Sequence, residues 1–185
     1  MRVIIIGNGP VKHKLGFAVD EFDFVIRINR FKAGYEEYIG SKTNIICIGN
    51  PIKPDPKHNC PVWACFPAHS FHDLVKEAKA LYGYRLIHPD VSVIHDLQKK
   101  LGYWYPSRFS TTGLTAIELA TVIFKPLLPV YTLGFTLNFK DGHIGDKNAY
   151  RKYDWKNSCH DLDIERKYYD QLIHDGKVIE LSENI

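Results

Sequence analysis

The chain has 185 residues, the size of one globular domain, and its 45% apolar and 24% charged residues exclude a disordered chain, a collagen-like repeat and a coiled coil. Twenty-four Lys and Arg against 21 Asp and Glu leave a net charge of +3, too even for a nucleic-acid or anionic-membrane surface. The expectation is one domain over residues 1–185 with no nucleic-acid partner. No run approaches the roughly 18 apolar residues of a transmembrane helix, and the apolar stretch Val3–Ile6 is too short for a signal peptide. Cys47, Cys60, Cys65 and Cys159 are too few and too scattered for a disulfide scaffold, so a reducing, cytoplasmic location is expected.

In chain order, Val3 to Ile6 is a β-branched run that stops at Gly7-Asn8-Gly9-Pro10, and its continuous apolar character predicts a strand buried on both faces. Phe22 to Ile28 reads as a second strand ending in Asn29, and Asn44 to Ile48 as a third ending in Gly49-Asn50-Pro51. Residues 51–62 carry Pro51, Pro54, Pro56 and Pro61 and read as loop. Phe71 to Leu81 predicts a helix, Arg85 to His88 a short strand, and His95 to Leu101 another helix.

Thr111 to Phe124 carries the clearest helical pattern. Ser110, Thr111 or Thr112 can cap it, and Leu114, Ile117, Ala120, Thr121 and Ile123 supply a core face, with Glu118 as the one charge. Val130 to Leu133 follows as a strand, and residues 136–159 read as a long functional loop. Asp161 to His174 is a helix with Tyr168, Leu172 and Ile173 on its apolar face, ended by Gly176 before a strand over Val178 to Leu181. This alternation predicts an α/β, Rossmann-like domain with a mostly parallel sheet flanked by helices.

Ligands of such sheets bind beyond the carboxyl ends of the strands. Three strands here run into asparagine, at Asn8, Asn29 and Asn50. An uncharged amide that both donates and accepts suits a ligand with hydroxyls and a base; the same residues also simply favour turns.

The phrases around these asparagines resemble the sialylmotifs of the sialyltransferases. Val3-Ile4-Ile5-Ile6-Gly7-Asn8-Gly9, then Asp23-Phe24-Val25-Ile26-Arg27-Ile28-Asn29 and Gly40-Ser41-Lys42-Thr43, are similar to the large motif. Ser110-Thr111-Thr112-Gly113 and Tyr131-Thr132-Leu133-Gly134-Phe135 are similar to the ends of the small motif. His160 followed by Glu165 resembles the very short motif, and His143 stands where the third motif has its His, although Ile144 replaces the aromatic residue that normally follows. The cysteine pair that Golgi members link is absent from residues 1–9 and 119–128, in keeping with a reducing compartment.

The resemblance implies a transferase using a CMP-activated nonulosonic acid, sialic acid or a Kdo-type sugar, with a glycan or glycolipid hydroxyl as acceptor. It places Asn8, Gly9 and Asn29 on the CMP moiety, the Thr111-Thr112-Gly113 turn on donor phosphate or carboxylate, and His160 as catalytic base. Backbone N–H groups at a helix start favour an anion on physical grounds as well. A separate bacterial lineage of sialyltransferases also shares Gly-Asn-Gly-Pro, Arg-X-Asn and an Asn-Pro, which adds Asn50 to the set.

Histidine, with an unperturbed pKa of about 6.5, suits removal of the acceptor's proton near neutrality, in a single displacement that inverts the anomeric carbon. Five residues of helix turn about 140° beyond one full turn, so Glu165 would not share a face with His160 and reads as an anchor for its helix. His143, Tyr150 and Tyr153 could donate to the departing phosphate. No acidic cluster has cation-binding spacing, Asp161 and Asp163 reading as helix-dipole partners, so a metal-independent reaction without a cofactor is expected. Cys60, Cys65, His69 and His72 lack the usual zinc spacing, and Lys12 stands where a dinucleotide loop needs its third glycine. The alternative reading is a module that keeps the CMP-sugar pocket without transfer activity.

Overall fold

The computed structural model describes residues 1–29, 33–51, 59–67, 70–103, 108–137 and 159–181. Its strands are β1 (Val3–Ile6), β2 (Phe24–Ile28), β3 (Ile45–Ile48), β4 (Val62–Ala64), β5 (Leu86–Ile87), β6 (Val130–Leu133) and β7 (Val178–Glu180). The helices are α1 (Gly16–Asp20), α2 (Glu36–Ile39), α3 (Phe71–Tyr82), α4 (Val91–Lys100), α5 (Thr112–Ile123) and α6 (Leu162–His174). All seven strands form one parallel sheet in the order β5-β4-β3-β2-β1-β6-β7. The fold is α/β and Rossmann-like.

The sequence of β1 shows why the sheet lies in the middle. Val3 and Ile5 pack on one face with α4, α5 and α6, while Ile4 and Ile6 pack on the other with Val19 of α1 and Ile39 of α2. Successive side chains of a strand point to opposite faces, so four apolar residues in a row require cover on both. A third cluster joins Val62 and Ala64 of β4 to Phe71, Ala78 and Tyr82 of α3. The chain runs outward from β1 to β5, then returns through α4 and α5 to β6 on the other side of β1. The strand order therefore reverses between β1 and β6, where open α/β sheets form a ligand crevice.

α5 buries every residue from Leu114 to Thr121, including Glu118. That carboxylate is compensated by Lys100 of α4 at 2.6 Å and by the Tyr168 hydroxyl of α6 at 2.9 Å, so one acid ties three helices together. Ile123, expected on the core face, is 49% exposed, as is Val122, because the buried stretch of α5 ends at Thr121. In α6 the fully buried aromatic is Tyr169, whose hydroxyl meets Thr132 at 2.6 Å; Tyr168 is only partly buried.

Several boundaries move. β2 starts at Phe24 and β3 at Ile45, and Asn44 lies just outside with its side chain accepting from Val25 N at 2.9 Å. α4 starts at Val91, four residues before the expected His95, because Asp90 caps it through Ser92 N at 2.9 Å. The strand β4 follows Pro61 directly and was hidden by the prolines before it, and α1 and α2 are too short to show a helical period. Of the expected loop over 136–159, the described residues 136, 137 and 159 lie in neither helix nor strand, and residues 138–158 lie outside the description.

Candidate functional site

The carboxyl ends of β1 and β6 are held together by glycine. Gly7 N donates to Leu133 O at 2.8 Å and Gly9 N donates to Gly134 O at 2.9 Å. A Cβ on Gly7 would stand 2.4 Å from Gly134 O, and one on Gly9 2.6 Å from the same atom. Gly134 itself has a φ of +74°, a left-handed conformation that disfavours any side chain. The glycines of the first phrase thus let two loops run against each other at the reversal point.

Between them, half-buried Asn8 donates its Nδ2 to Ile28 O at 3.1 Å. Asn29 has a φ of 51° and accepts Gly49 N on Oδ1 at 2.9 Å. These two amides link the ends of β1, β2 and β3 in series. Each uses one polar atom in the link, and Asn8 Oδ1 and Asn29 Nδ2 are the atoms available to a ligand. Asn50 is exposed.

Arg27, two residues before Asn29, is fully buried, and its guanidinium donates to Lys42 O, Thr43 Oγ1, Ile39 O and Gly40 O at 2.7–3.1 Å. Asp20 accepts from Ser41 N, Ser41 Oγ and Lys42 N. Burial lowers Arg27 to about 10, still charged at neutrality. Arg27 and the Gly40–Thr43 phrase therefore serve each other and set the strand ends.

The first turn of α5 lies across the same rim. A Cβ on Gly49 would come within 1.9 Å of Thr112 Oγ1, and one on Gly113 within 2.8 Å of the Phe135 ring. The helix start is thus seated on the ends of β3 and β6, with β2 and β1 between them in the sheet. Thr111 is the cap: its hydroxyl accepts from Leu114 N at 3.2 Å and donates to Glu165 Oε2 at 2.6 Å, while its own N–H donates to Glu165 Oε1 at 3.0 Å. The Thr111 side chain is thus held by the fold, and Thr112 and Gly113 carry the first-turn amides.

His160 precedes α6 and is clipped to the segment before α5. Phe109 N donates to Cys159 O at 3.0 Å, and His160 Nδ1 lies 2.8 Å from Phe109 O, with the Phe109 ring packed edge-on at 4.9 Å. A carbonyl oxygen only accepts, so Nδ1 carries the proton of the neutral ring and Nε2 carries the lone pair. Arg108 pairs with Asp161 at 2.6 Å, and Asp161 caps α6 through Ile164 N. Burial lowers the His160 pKa below its ordinary value, opposed by the bond to Phe109, so the ring is neutral near pH 7.

Glu165 is fully buried and stands 4.0 Å from His160 Nδ1. Burial raises its pKa to about 7, against the pull of its Thr111 bonds. With both groups pushed toward neutrality, the contact is not a strong ion pair. Glu165 anchors the start of α5 and not only its own helix; because His160 lies before α6 and not on it, the two stand closer than the spacing on one helix predicts. The sequence reading passed over Phe109, whose carbonyl sets the imidazole tautomer through a backbone atom that no residue type signals.

His143, Tyr150 and Tyr153 lie outside the described residues, as does His69. Among the described residues no group of three or more His, Cys, Asp or Glu stands close enough to hold a metal ion, and no helix is long and apolar enough to cross a membrane. Cys65 is buried while His72 is exposed on α3. One cavity of about 160 Å³, lined by Asn59, Cys60, Pro61, Tyr84, Arg85 and Ile87, lies at the amino ends of β4 and β5, away from the asparagine rim.

Residues 1–55, the stretch that builds the asparagine row and its Arg27 support, match the model of glycosyltransferase family 29 (sialyltransferase). The likeness is to the sialyltransferases. The lactosylceramide alpha-2,3-sialyltransferase of Rattus norvegicus is 47% identical over 47 residues, which are 24% of this chain and 12% of that sialyltransferase. The type 2 lactosamine alpha-2,3-sialyltransferase of Rattus norvegicus is 27% identical over 222 aligned positions covering 99% of this chain and 65% of its own length. This chain thus spans only part of the curated sialyltransferases that it matches. A mammalian sialyltransferase, solved in complex with Gal-beta-1-3GalNAc-ortho-nitrophenol, superposes with a TM-score of 0.68 at 18% identity, covering 97% of this chain and 68% of that one. The two chains share the expected α/β sheet architecture.

Proposed function

We propose that this chain is a glycosyltransferase that moves a nonulosonic acid, sialic acid or a Kdo-like sugar, from a CMP-activated donor to a hydroxyl of a glycan or glycolipid. The observation that carries the reading is the imidazole of His160, whose Nδ1–H is fixed on Phe109 O so that Nε2 is the basic nitrogen. As the acceptor oxygen bonds to the anomeric carbon, its proton passes to Nε2 and the bond from that carbon to the phosphate breaks. CMP leaves, and the single displacement inverts the configuration.

Asn8, Gly9, Asn29 and Asn50 serve the nucleotide in this reading. Thr112 and Gly113, with Thr111 as their cap, offer first-turn amides to the donor's anionic groups. His143, Tyr150 and Tyr153 donate to the departing phosphate, and the reaction needs no metal. That relatives are named for lactosylceramide and for type 2 lactosamine supports a glycan or glycolipid acceptor.

Incubation with CMP-sialic acid, with and without lactoside and lactosamine acceptors, tests this directly. Acceptor-dependent CMP release that falls by roughly 10² to 10⁴ in His160→Ala supports the transferase. The other reading is a module that keeps the CMP-sugar pocket without transfer activity. Binding of CMP with no release from any donor or acceptor would support that module and reject the transferase.

A further inference from the structure

Tyr103 lies outside every stretch that carries the resemblance. Its place is set by the end of α4: Gly102 N donates to Lys99 O at 3.0 Å and Tyr103 N to Gln98 O at 2.9 Å, with Gly102 at a φ of +67°. This is a Schellman turn, and only the left-handed residue at its centre needs to be glycine. The turn carries the next side chain inward, and Tyr103 is 7% exposed.

The Tyr103 hydroxyl then meets both backbone groups of one residue. It accepts from Asp161 N at 3.2 Å and donates to Asp161 O at 3.0 Å, and it also stands 3.4 Å from Glu165 Oε1. Burial pushes the phenol well above its ordinary pKa, so it keeps its proton at any pH of interest. Residue 161 directly follows the candidate base. On the other side of His160, Cys159 O is held by Phe109 N. The imidazole therefore sits on a short segment tied down both before and after it.

We propose that Tyr103 is a positioning residue: its hydroxyl fixes the peptide behind His160 and so keeps Nδ1–H on Phe109 O and Nε2 as the base. The proposal rests on the reading of His160 as the base, but its first test does not. In the full-length chain without any donor, imidazole ¹⁵N resonances report the neutral tautomer of His160. The protein should show Nδ1–H, and Tyr103→Phe should shift the population toward the Nε2–H form that free histidine favours. With CMP-sialic acid and an acceptor, kcat should fall roughly ten- to a hundredfold, within the span that general-base catalysis supplies. The KM for donor should stay within about twofold, because the hydroxyl acts on the base and not on the nucleotide.

Tyr168→Phe controls for plain loss of stability, since it removes a hydroxyl of α6, the helix that follows His160, that donates to Glu118 at 2.9 Å. It should leave the tautomer unchanged. The proposal is overturned if Tyr103→Phe keeps the Nδ1–H tautomer, or if Tyr168→Phe moves it equally. Should Tyr103→Phe not fold, 3-fluorotyrosine at position 103 keeps ring and hydroxyl while strengthening the phenol as a donor. The His160 resonances must then move, and unmoved resonances reject the link. Turnover retained in His160→Ala would remove the base reading while leaving the tautomer result to stand or fall alone.

Discussion

Glu165 accepts both the backbone N–H and the hydroxyl of Thr111, 54 residues earlier in the chain, at 3.0 and 2.6 Å. The contact joins the start of α6 to the start of α5, and so fixes the candidate base relative to the candidate anion-binding turn. Removing the acid leaves two donors of Thr111 without their partner in a closed space. Each lost hydrogen bond costs about 0.5–1.5 kcal/mol, and an orphaned buried donor adds desolvation, so Glu165→Ala should cost on the order of 3 kcal/mol in urea unfolding. Glu165→Gln keeps one acceptor and should cost clearly less. Equal losses would show that the packing of the side chain, and not its oxygens, holds the two helices.

The same burial makes Glu165 a source of pH dependence. Its pKa of about 7 in the fold lies above the roughly 4.3 of an exposed glutamate. The native state then binds the proton more tightly than the unfolded chain. Its contribution is complete below about pH 4.3 and is lost as pH rises to about 7, by on the order of 3 kcal/mol. Measured from pH 4.5 to 7.5, the stability of Glu165→Gln should gain on that of the unaltered protein as pH rises. Parallel curves would contradict the assignment. His160 works in the opposite direction, because its lowered pKa makes charging it at acid pH costly to the fold.

Gly49 tests how tightly α5 is seated on the rim. A methyl group there would come within 1.9 Å of Thr112 Oγ1, so Gly49→Ala should destabilise by about 1–3 kcal/mol through overpacking. Thr112→Ala in the same chain removes the clashing oxygen but leaves Thr112 Cβ about 3.1 Å from the new methyl, so it should recover part of the loss. A double-mutant cycle by urea unfolding reads the coupling; additive losses would mean that the two residues do not meet.

Much of this arrangement can be read from residue order alone, for identifiable reasons. Val3 to Ile6 is apolar without interruption, as a strand covered on both faces requires, and it forms an inner strand; Val130 to Leu133 does the same with one polar residue, Thr132, whose hydroxyl meets Tyr169. Thr111 announces the start of α5 because a hydroxyl before an apolar helix is a capping signal. Val62–Ala64 was obscured by Pro61, although proline just before a strand removes no ladder bond. The row of asparagines is legible as a row, but its first use is to tie strand ends together through Ile28 O and Gly49 N. Tyr103 and Phe109 are not legible, since Tyr103 acts on the backbone of Asp161 and Phe109 acts through its own carbonyl on His160, each pair more than 50 residues apart.

A crystal structure with CMP bound tests the central claim most directly. The nucleotide should lie along the carboxyl ends of β1, β2 and β3, in contact with Asn8 and Asn29. Its phosphate should lie within hydrogen-bond distance of the Thr112 or Gly113 amide, and His160 Nε2 should open onto the same cleft. A nucleotide seated at the amino ends of the strands, or an Nε2 turned away from the bound phosphate, would contradict it.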